Sequence, residues 1–243
     1  MTTLIKILVS TILSLLLFSC NFDMNFGPGV KGNGNVQIEN RTLNQSFNAI
    51  KTSQGLDVYL TQGDEESIII EADENLHNLI KTEVKDNELH IYLEKNIGYA
   101  SSKKIMVTFK DISKITSTSG SDVISTNTIN AENLELNSSS GSDMKLDLNT
   151  ITLHCNSSSG SDLKLSGKTQ KLIAEASSGS DIKAADLIAE SSQVKATSGA
   201  DITVNTAKEL TADANSGGDI KYYGNPQIIN KTDSHSGSIT NQQ

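Results

Sequence analysis

Residues 138–143 and residues 157–162 both read SSSGSD, and this repeated hexapeptide decides the fold. Shorter forms follow as SSGSD at 177–181, TSGAD at 197–201 and NSGGD at 215–219. A motif that returns about every 20 residues is typical of a solenoid, in which one structural unit stacks on the next. The repeated pairs are Gly120 and Asp122, Gly141 and Asp143, Gly160 and Asp162, Gly179 and Asp181, Gly199 and Asp201, and Gly217 and Asp219.

Two further copies lie outside the regular series. Gly55-Leu56-Asp57 stands alone upstream, separated from the series by a segment without the motif. Gly237 opens a last copy in which Ile239 replaces the aspartate, and this change predicts the end of the stack.

Each repeat has two halves in which apolar and polar residues alternate. Met144-Lys145-Leu146 follows one aspartate, and Leu153 and Cys155 precede the next glycine. A period of two turns one face of a strand inward, and a single coil can bury that face only against neighbouring coils. We therefore predict an all-β, right-handed parallel β-helix or solenoid with coils of about 20 residues.

The N-terminal half is less regular. VQIENRTL, FNAIKT, LDVYL and SIIIEA read as strands, and residues 103–117 read as two more. Leu76, Leu79, Ile80 and Val84 have helical spacing, which predicts one short helix capped by Asp73. We expect one domain over residues 36–240, with irregular coils at 36–118 and regular repeats at 119–240.

The first residues indicate export. Lys6 precedes a continuous apolar run at residues 7–18, which is shorter than a bilayer span and suits a signal peptide at 1–19. Leu17-Phe18-Ser19-Cys20 resembles a bacterial lipobox, which implies a lipidated Cys20 and a flexible tether at 20–35. An ordinary signal peptide cut near Ser19 remains the alternative.

The charge of the chain restricts its binding partners, and its cysteine content restricts its cross-links. The formal net charge is −9, which argues against nucleic acid, whose phosphates need basic patches. The chain has only two cysteines, Cys20 and Cys155, so a lipidated Cys20 would leave no disulfide framework. Cys155 occupies an inward position and is expected to be a core residue.

The Ser-Gly-Ser-Asp turn has three chemical interpretations. Nucleophilic catalysis needs a base, yet no histidine recurs with the motif. Calcium needs clustered oxygen ligands, but a lysine follows the aspartate by two residues in four copies. Stacked carboxylates would also resemble a glycosidase pair, although every aspartate row in a parallel stack has a similar spacing. The residues concerned are His77, His90, His154 and His235, and Lys145, Lys164, Lys183 and Lys221.

A structural role for the turn is favoured over all three. Glycine accepts a positive φ, and we expect the serine and aspartate side chains to satisfy turn amides. The sequence thus predicts no catalytic residue, no metal and no cofactor.

The stretch GNGNVQIENR, Phe47 to Ile50, the strand from Gly55 to Leu60 and the serial GSD turns resemble the auto-transporter adhesin head GIN domain family. The resemblance covers roughly residues 35–240. It implies a β-helical protein of the cell envelope and brings no catalytic residues.

These observations predict a non-enzymatic, adhesin-like lipoprotein of the outer membrane. Its partners would be the membrane, through the lipid, and an envelope glycan or protein. The alternative is a protein that binds or degrades polysaccharide, with a site within residues 60–115 built from His77, His90, Tyr92 and Tyr99.

Overall fold

The computed structural model describes residues 28–233 and 236–242, and these residues are almost entirely β-structure. Cys20, the predicted signal peptide and His235 lie outside them. The strands are β1 Val30–Lys31, β2 Val36–Arg41, β3 Ala49–Thr52, β4 Asp57–Gln62, β5 Ser67–Asp73, β6 Ile80–Lys85, β7 Glu88–Leu93, β8 Ile97–Tyr99, β9 Lys103–Phe109, β10 Lys114–Thr118, β11 Asp122–Ser125, β12 Ile129–Ser139, β13 Asp143–Ser158, β14 Asp162–Ser177, β15 Asp181–Ala196, β16 Asp201–Ala214, β17 Asp219–Tyr223, β18 Ile228–Asp233 and β19 Ser238–Asn241. One 3-10 helix, η1, spans Glu74–Leu79.

The regular half is a stack of parallel coils. Strands β13 and β14 pair in register along their whole length, from Asp143 opposite Asp162 to Ser158 opposite Ser177. Within β13, Met144 and Leu146 of the first half and Leu153 and Cys155 of the second half are buried. The predicted β-solenoid is therefore confirmed, and its core is a narrow column of aliphatic side chains.

The isolated upstream copy of the motif lies next to the regular series in space. Asp57 of β4 pairs with Asp122 of β11, and the amide of Gly55 donates to the carbonyl of Ser119 at 3.0 Å. Strand β3 pairs with β10 in the same coil contact. The first coil in the sequence is therefore the direct neighbour of the coil that begins the series.

The segment between these two coils closes the N-terminal end of the stack. Strands β7 and β9 pair in parallel with β3 and β4 on their other side. Strand β5 runs antiparallel to both β2 and β9, and β6 runs antiparallel to β7. These antiparallel pairs are why the period of 20 residues disappears from the sequence here.

Each repeated turn uses two successive residues in the left-handed region. Ser159 has a φ of 57° and Gly160 a φ of 69°, and the other copies repeat these values closely. The amide of Gly141 donates to the carbonyl of Ser159 in the next coil at 3.1 Å. The amide of Asp162 donates to the carbonyl of Ser142 at 3.1 Å. The turn amides are thus paired with the neighbouring coils.

Buried hydroxyl groups brace the same corner from inside. Ser157 donates to the carbonyl of Ser161 at 2.9 Å. Ser161 in turn donates to the carbonyl of Ser158 and accepts from its amide, at 2.9 and 3.1 Å. The serine hydroxyls thus contact both amides and carbonyls of the turn. The aspartate amides pair with the neighbouring coil, and the aspartate carboxylates lie on the outer surface.

The C-terminal coils replace these hydroxyls with apolar residues. Ala196 and Ala200 occupy the two inner positions of the corner around Gly199 and are buried. Here the turn closes through its own backbone, since the amide of Ala200 donates to the carbonyl of Thr197 at 3.2 Å. The corner therefore keeps its shape with either kind of bracing.

The predicted helix is shorter than its apolar spacing indicated, and its cap is absent. It is a 3-10 helix that ends at Leu79, and Ile80 and Val84 belong to β6. Asp73 makes no side-chain hydrogen bond to the helix. Its buried carboxylate instead accepts from the amides of Gly34 at 2.5 Å and Ser101 at 2.6 Å, so the capping prediction was wrong.

Asp73 therefore ties the segment before β2 to the loop before β9. Burial raises the pKa of the Asp73 carboxyl, but the hydrogen bonds from the amides of Ser101, Gly34 and Ser102 outweigh it and lower that pKa. The ionised form is consequently the one that the folded state stabilises.

We expect Asp73→Asn to lower the midpoint of urea unfolding at neutral pH. The stabilisation by the carboxylate is present above the unfolded pKa, about 3.9, and is lost as the pH falls through the lower folded pKa. The difference between wild type and variant should therefore shrink below about pH 4. Asp64→Asn, on an exposed loop, is the control and should show no such dependence. A constant difference across the acid range would contradict the assignment.

Substitution of two glycines can distinguish the cost of a left-handed backbone from the cost of a steric clash with the neighbouring coil. A Cβ on Gly160 would meet nothing within 4 Å, whereas a Cβ on Gly167, whose φ is 104°, would lie 2.0 Å from the carbonyl oxygen of Leu148. We expect Gly160→Ala to cost about 1 kcal/mol, the left-handed penalty, and Gly167→Ala at least about twice that. Chemical denaturation measures both. Equal losses would show that coil spacing does not limit position 167.

Candidate functional site

The predicted turn residues place a row of carboxylates on one face of the solenoid. Each repeated aspartate is the first residue of its strand and pairs with its equivalent in the next coil. Neighbouring coils are about 4.8 Å apart, so the carboxylates lie close enough to repel one another. The row consists of Asp57, Asp122, Asp143, Asp162, Asp181, Asp201 and Asp219.

A second row, two residues along each strand, partly neutralises the first. Lys183 lies with its Nζ 2.7 Å from Oδ2 of Asp162 and 3.1 Å from Oδ2 of Asp181. The hydrogen bond with Asp162 is the main cause that raises the pKa of Lys183. One ammonium group thus serves the carboxylates of two coils.

The cation row has three gaps, and two of them coincide with carboxyls that ionise less readily. Tyr59 occupies the lysine position beside Asp57, and Ile124 and Thr203 occupy it in the other two coils. The aspartates of those coils, Asp122 and Asp201, have raised pKa values, first because of burial and then because of the aspartates on either side. Any stacked row without cations has this property, so it does not by itself indicate catalysis.

The residues of the alternative site in 60–115 have separate partners. His77 is buried, with Nδ1 3.0 Å from Oε2 of Glu39. His90 lies with Nε2 3.0 Å from Oε1 of Glu88, and Tyr92 donates to Glu83 at 3.1 Å. The fourth, Tyr99, is exposed on β8. The structure therefore does not bring the four together into a cleft.

Two further groups bear on the chemistry. Cys155 lies in the core, and burial raises the pKa of its thiol, as expected for a packing residue. Within residues 28–233 and 236–242, no group of three or more His, Cys, Asp or Glu side chains is arranged to hold a metal ion.

A concavity lies at the other corner of the coils, where the two halves of each long strand meet. It has a volume of about 700 Å³ and is lined by residues from five neighbouring coils. Asn149 donates from Nδ2 to Oδ1 of Asn130 at 2.8 Å, and Thr150 donates to Thr169 at 2.9 Å below them. We call this concavity the corner groove.

Sequence reasoning missed the corner groove. The available signal was a pair of asparagines, Asn130 and Asn149, separated by the same 19 residues as the coils that carry them. That spacing has no glycine or charge to mark it, so the serine turn dominated the pattern. Ile151 and Ile188, with exposed fractions of 47% and 57%, also line the groove.

The fold and the groove together define a class, an all-β solenoid with a groove along its coils. Residues 46–226 match the family described as "Putative auto-transporter adhesin, head GIN domain", and the chain belongs to this family. The resemblance stated from the sequence is confirmed. The family points to an extracellular or envelope-associated protein.

Solved structures share the fold. A "putative adhesin" from Bacteroides fragilis is 25% identical, has a TM-score of 0.83, and covers 88% of this chain and 100% of its own. A "putative adhesin" from Parabacteroides merdae is 19% identical, with a TM-score of 0.71 and coverages of 88% and 99%. A "putative lipid binding protein" from Parabacteroides distasonis is 20% identical, with a TM-score of 0.69 and coverages of 87% and 99%.

No curated protein is similar enough to this chain to count as a match. Among the described residues, no helix is both long and apolar enough to cross a membrane.

The gaps in the cation row predict different effects on the stability of the fold for two equivalent substitutions. Asp201→Asn should stabilise the fold at pH 7 by up to about 0.5 kcal/mol, because it removes a repelled charge. A carboxyl with a raised folded pKa destabilises when ionised, so this gain should vanish when acid protonates the group. Asp162→Asn, which loses its contact with Lys183, should give no gain. Urea unfolding at low and high salt measures both, and a gain that persists in 1 M salt would contradict the charge explanation.

Proposed function

We propose that the protein is a lipid-anchored, adhesin-like module of the cell envelope that binds its ligand without catalysis. The observation that carries this proposal is the shape of the site. The corner groove crosses five coils of a regular stack, which suits an extended ligand held along the solenoid. Family membership over residues 46–226 supports the same function.

The histidine contacts support a binding role over a catalytic one. A nucleophile needs a base within hydrogen-bond distance, oriented by a third group. His77 and His90 each contact a glutamate, and His77 also contacts the carbonyl of Ala72 at 3.1 Å. His154 lies on the exposed face of β13. The contacts of these residues are those of structural and surface histidines.

Membrane attachment rests on the sequence. The apolar run at 7–18 followed by Cys20 supports export and lipidation, with the lipid in the outer membrane and the solenoid facing the periplasm or the cell surface. The chain between Cys20 and β1 would then act as the tether, because β1 already pairs with β8 and Gly34 bonds to Asp73. The partners in this proposal are the membrane and an envelope glycan or protein, and nucleic acid is not among them.

We expect the wild-type protein to partition into the membrane fraction and to incorporate labelled fatty acid. Cys20→Ala should abolish the label and release the protein from the membrane, because Cys20 is the only candidate attachment point. Cys155→Ala is the matched control, since that thiol is buried in the core and should not affect partition. Cells carrying Cys20→Ala should also attach less to glycan-coated or protein-coated surfaces than cells carrying the wild type.

Equal partition of wild type and Cys20→Ala would remove the anchor from the proposal. Equal attachment by wild-type cells and by cells lacking the protein would remove the adhesive role.

A further inference from the structure

The corner groove continues past the Asn130–Asn149 pair toward the N-terminal end of the stack. A second concavity, of about 420 Å³, is lined by Asn48 and Asn87, and Asp111 lines both concavities. The amide of Asn48 donates to the carbonyl of Asn87 at 3.0 Å, so these residues belong to neighbouring coils. Because they share Asp111, the two concavities adjoin, and together they extend over seven consecutive coils, a length of about 30 Å.

The direction of this groove restricts its ligand. It follows the stacking axis and so runs across the strands rather than along them. An extended peptide lying in the groove would be perpendicular to every strand and could not add to the sheet by main-chain pairing. The backbone at this corner is also engaged between coils, as in the bond from the Ser113 amide to the Asn48 carbonyl at 2.8 Å. The side chains of the groove must therefore make the contacts that recognise the ligand.

The charge of the groove disfavours an anionic polymer. Its walls carry four carboxylates and two ammonium groups, and with Lys208, which pairs with Glu190 at 2.7 Å, the net charge is −1. The charged lining groups are Glu66, Asp111, Glu132 and Glu190, with Lys110 and Lys168. The whole chain adds to this effect with its formal charge of −9. A phosphorylated, sulfated or uronic acid polymer would be repelled by the charge of the whole chain as it approaches and by the groove lining once it arrives.

The neutral lining groups match a polymer of hydroxyl groups. Side-chain amides offer both donors and acceptors, and they come from Asn48, Asn87, Asn130, Asn149 and Gln170. The bond between Asn130 and Asn149 orders two of these amides before any ligand arrives. The exposed Ile151 and Ile188 side chains provide apolar contact beside them, which suits the C–H face of a sugar ring.

We propose that the continuous groove binds a neutral polysaccharide, with the chain lying along the solenoid axis. This inference rests on the proposed function as a non-catalytic binding module and specifies the class of its ligand. The aromatic residue in the groove lining, Phe47, is buried and offers no stacking platform, so a single protein binds weakly. Many anchored copies on one cell provide strong attachment through multivalency.

The test compares two pairs of stacked asparagines in the full mature lipoprotein. Asn130 and Asn149 lie in the groove, whereas Asn137 and Asn156 form an equivalent amide bond of 3.0 Å on another face. The groove variant is Asn130→Ala with Asn149→Ala, and the control is Asn137→Ala with Asn156→Ala. Calorimetry measures binding of soluble glucomannan, xyloglucan and dextran as neutral probes and polygalacturonate as a polyanion. Circular dichroism checks that both variants keep the wild-type fold.

We expect the wild type to bind at least one neutral probe and not polygalacturonate. The groove variant should lose about tenfold in affinity or more, while the control should keep the wild-type value. Preference for polygalacturonate, no binding of any neutral probe, or equal losses in the two variants would overturn the inference. If the groove variant loses glycan binding but its cells attach normally, glycan capture in the groove is not the adhesive mechanism, although the proposed adhesin function stands. If wild-type cells do not attach, the proposed function fails whatever the groove binds.

Discussion

The left-handed pair at each serine-glycine corner is the constraint on which the solenoid depends. A residue other than glycine costs about 1–2 kcal/mol in this region, and Ser119, Ser140, Ser159, Ser178, Ser198 and Ser216 all adopt it. The cost is tolerated because each corner gains hydrogen bonds in return. The glycine amide reaches the next coil in the corners from Gly120 to Gly199. Inner serine hydroxyls bond to the carbonyls and amides around the earlier turns, and the C-terminal corners close through their own backbone instead. The chain reverses at the same point in every coil as a result.

A corner fixed in this way also fixes the register of everything between corners. Once Asp143 lies opposite Asp162, the register of the two strands also places the inner leucines opposite one another and the outer lysines opposite one another. The charged rows are then a consequence of stacking rather than a device for binding metal. Lys183 shows how the chain offsets the repulsion, and Thr203 shows that the fold survives where this compensation is missing.

The sequence predicted those parts of the molecule that repeat. Periods of two and of about 20 residues are local signals, so the inward positions of Leu153 and Cys155 and the existence of coils could be derived from them. The order of the coils could not, because nothing local indicates that Asp57 pairs with Asp122 across the 64 intervening residues. The capping prediction for Asp73 was wrong for a related reason. Its partners, Gly34 and Ser101, come from distant segments, while the helix that begins beside it offered an obvious local role.

The two corners of the coil differ in what they allow, and this difference explains why the groove escaped sequence analysis. The serine-glycine corner accepts few residues, because its backbone is left-handed. The opposite corner has no such requirement, and its lining changes from Asn130 and Asn149 to Lys168 and Ile188 as the coils proceed. It also tolerates extra length, since the register shifts by additional residues between Ala184 and Ile188. A solenoid can vary its surface only where the backbone leaves the side chains free. The specificity of this protein is therefore expected at the corner that does not repeat, supported by the corner that does.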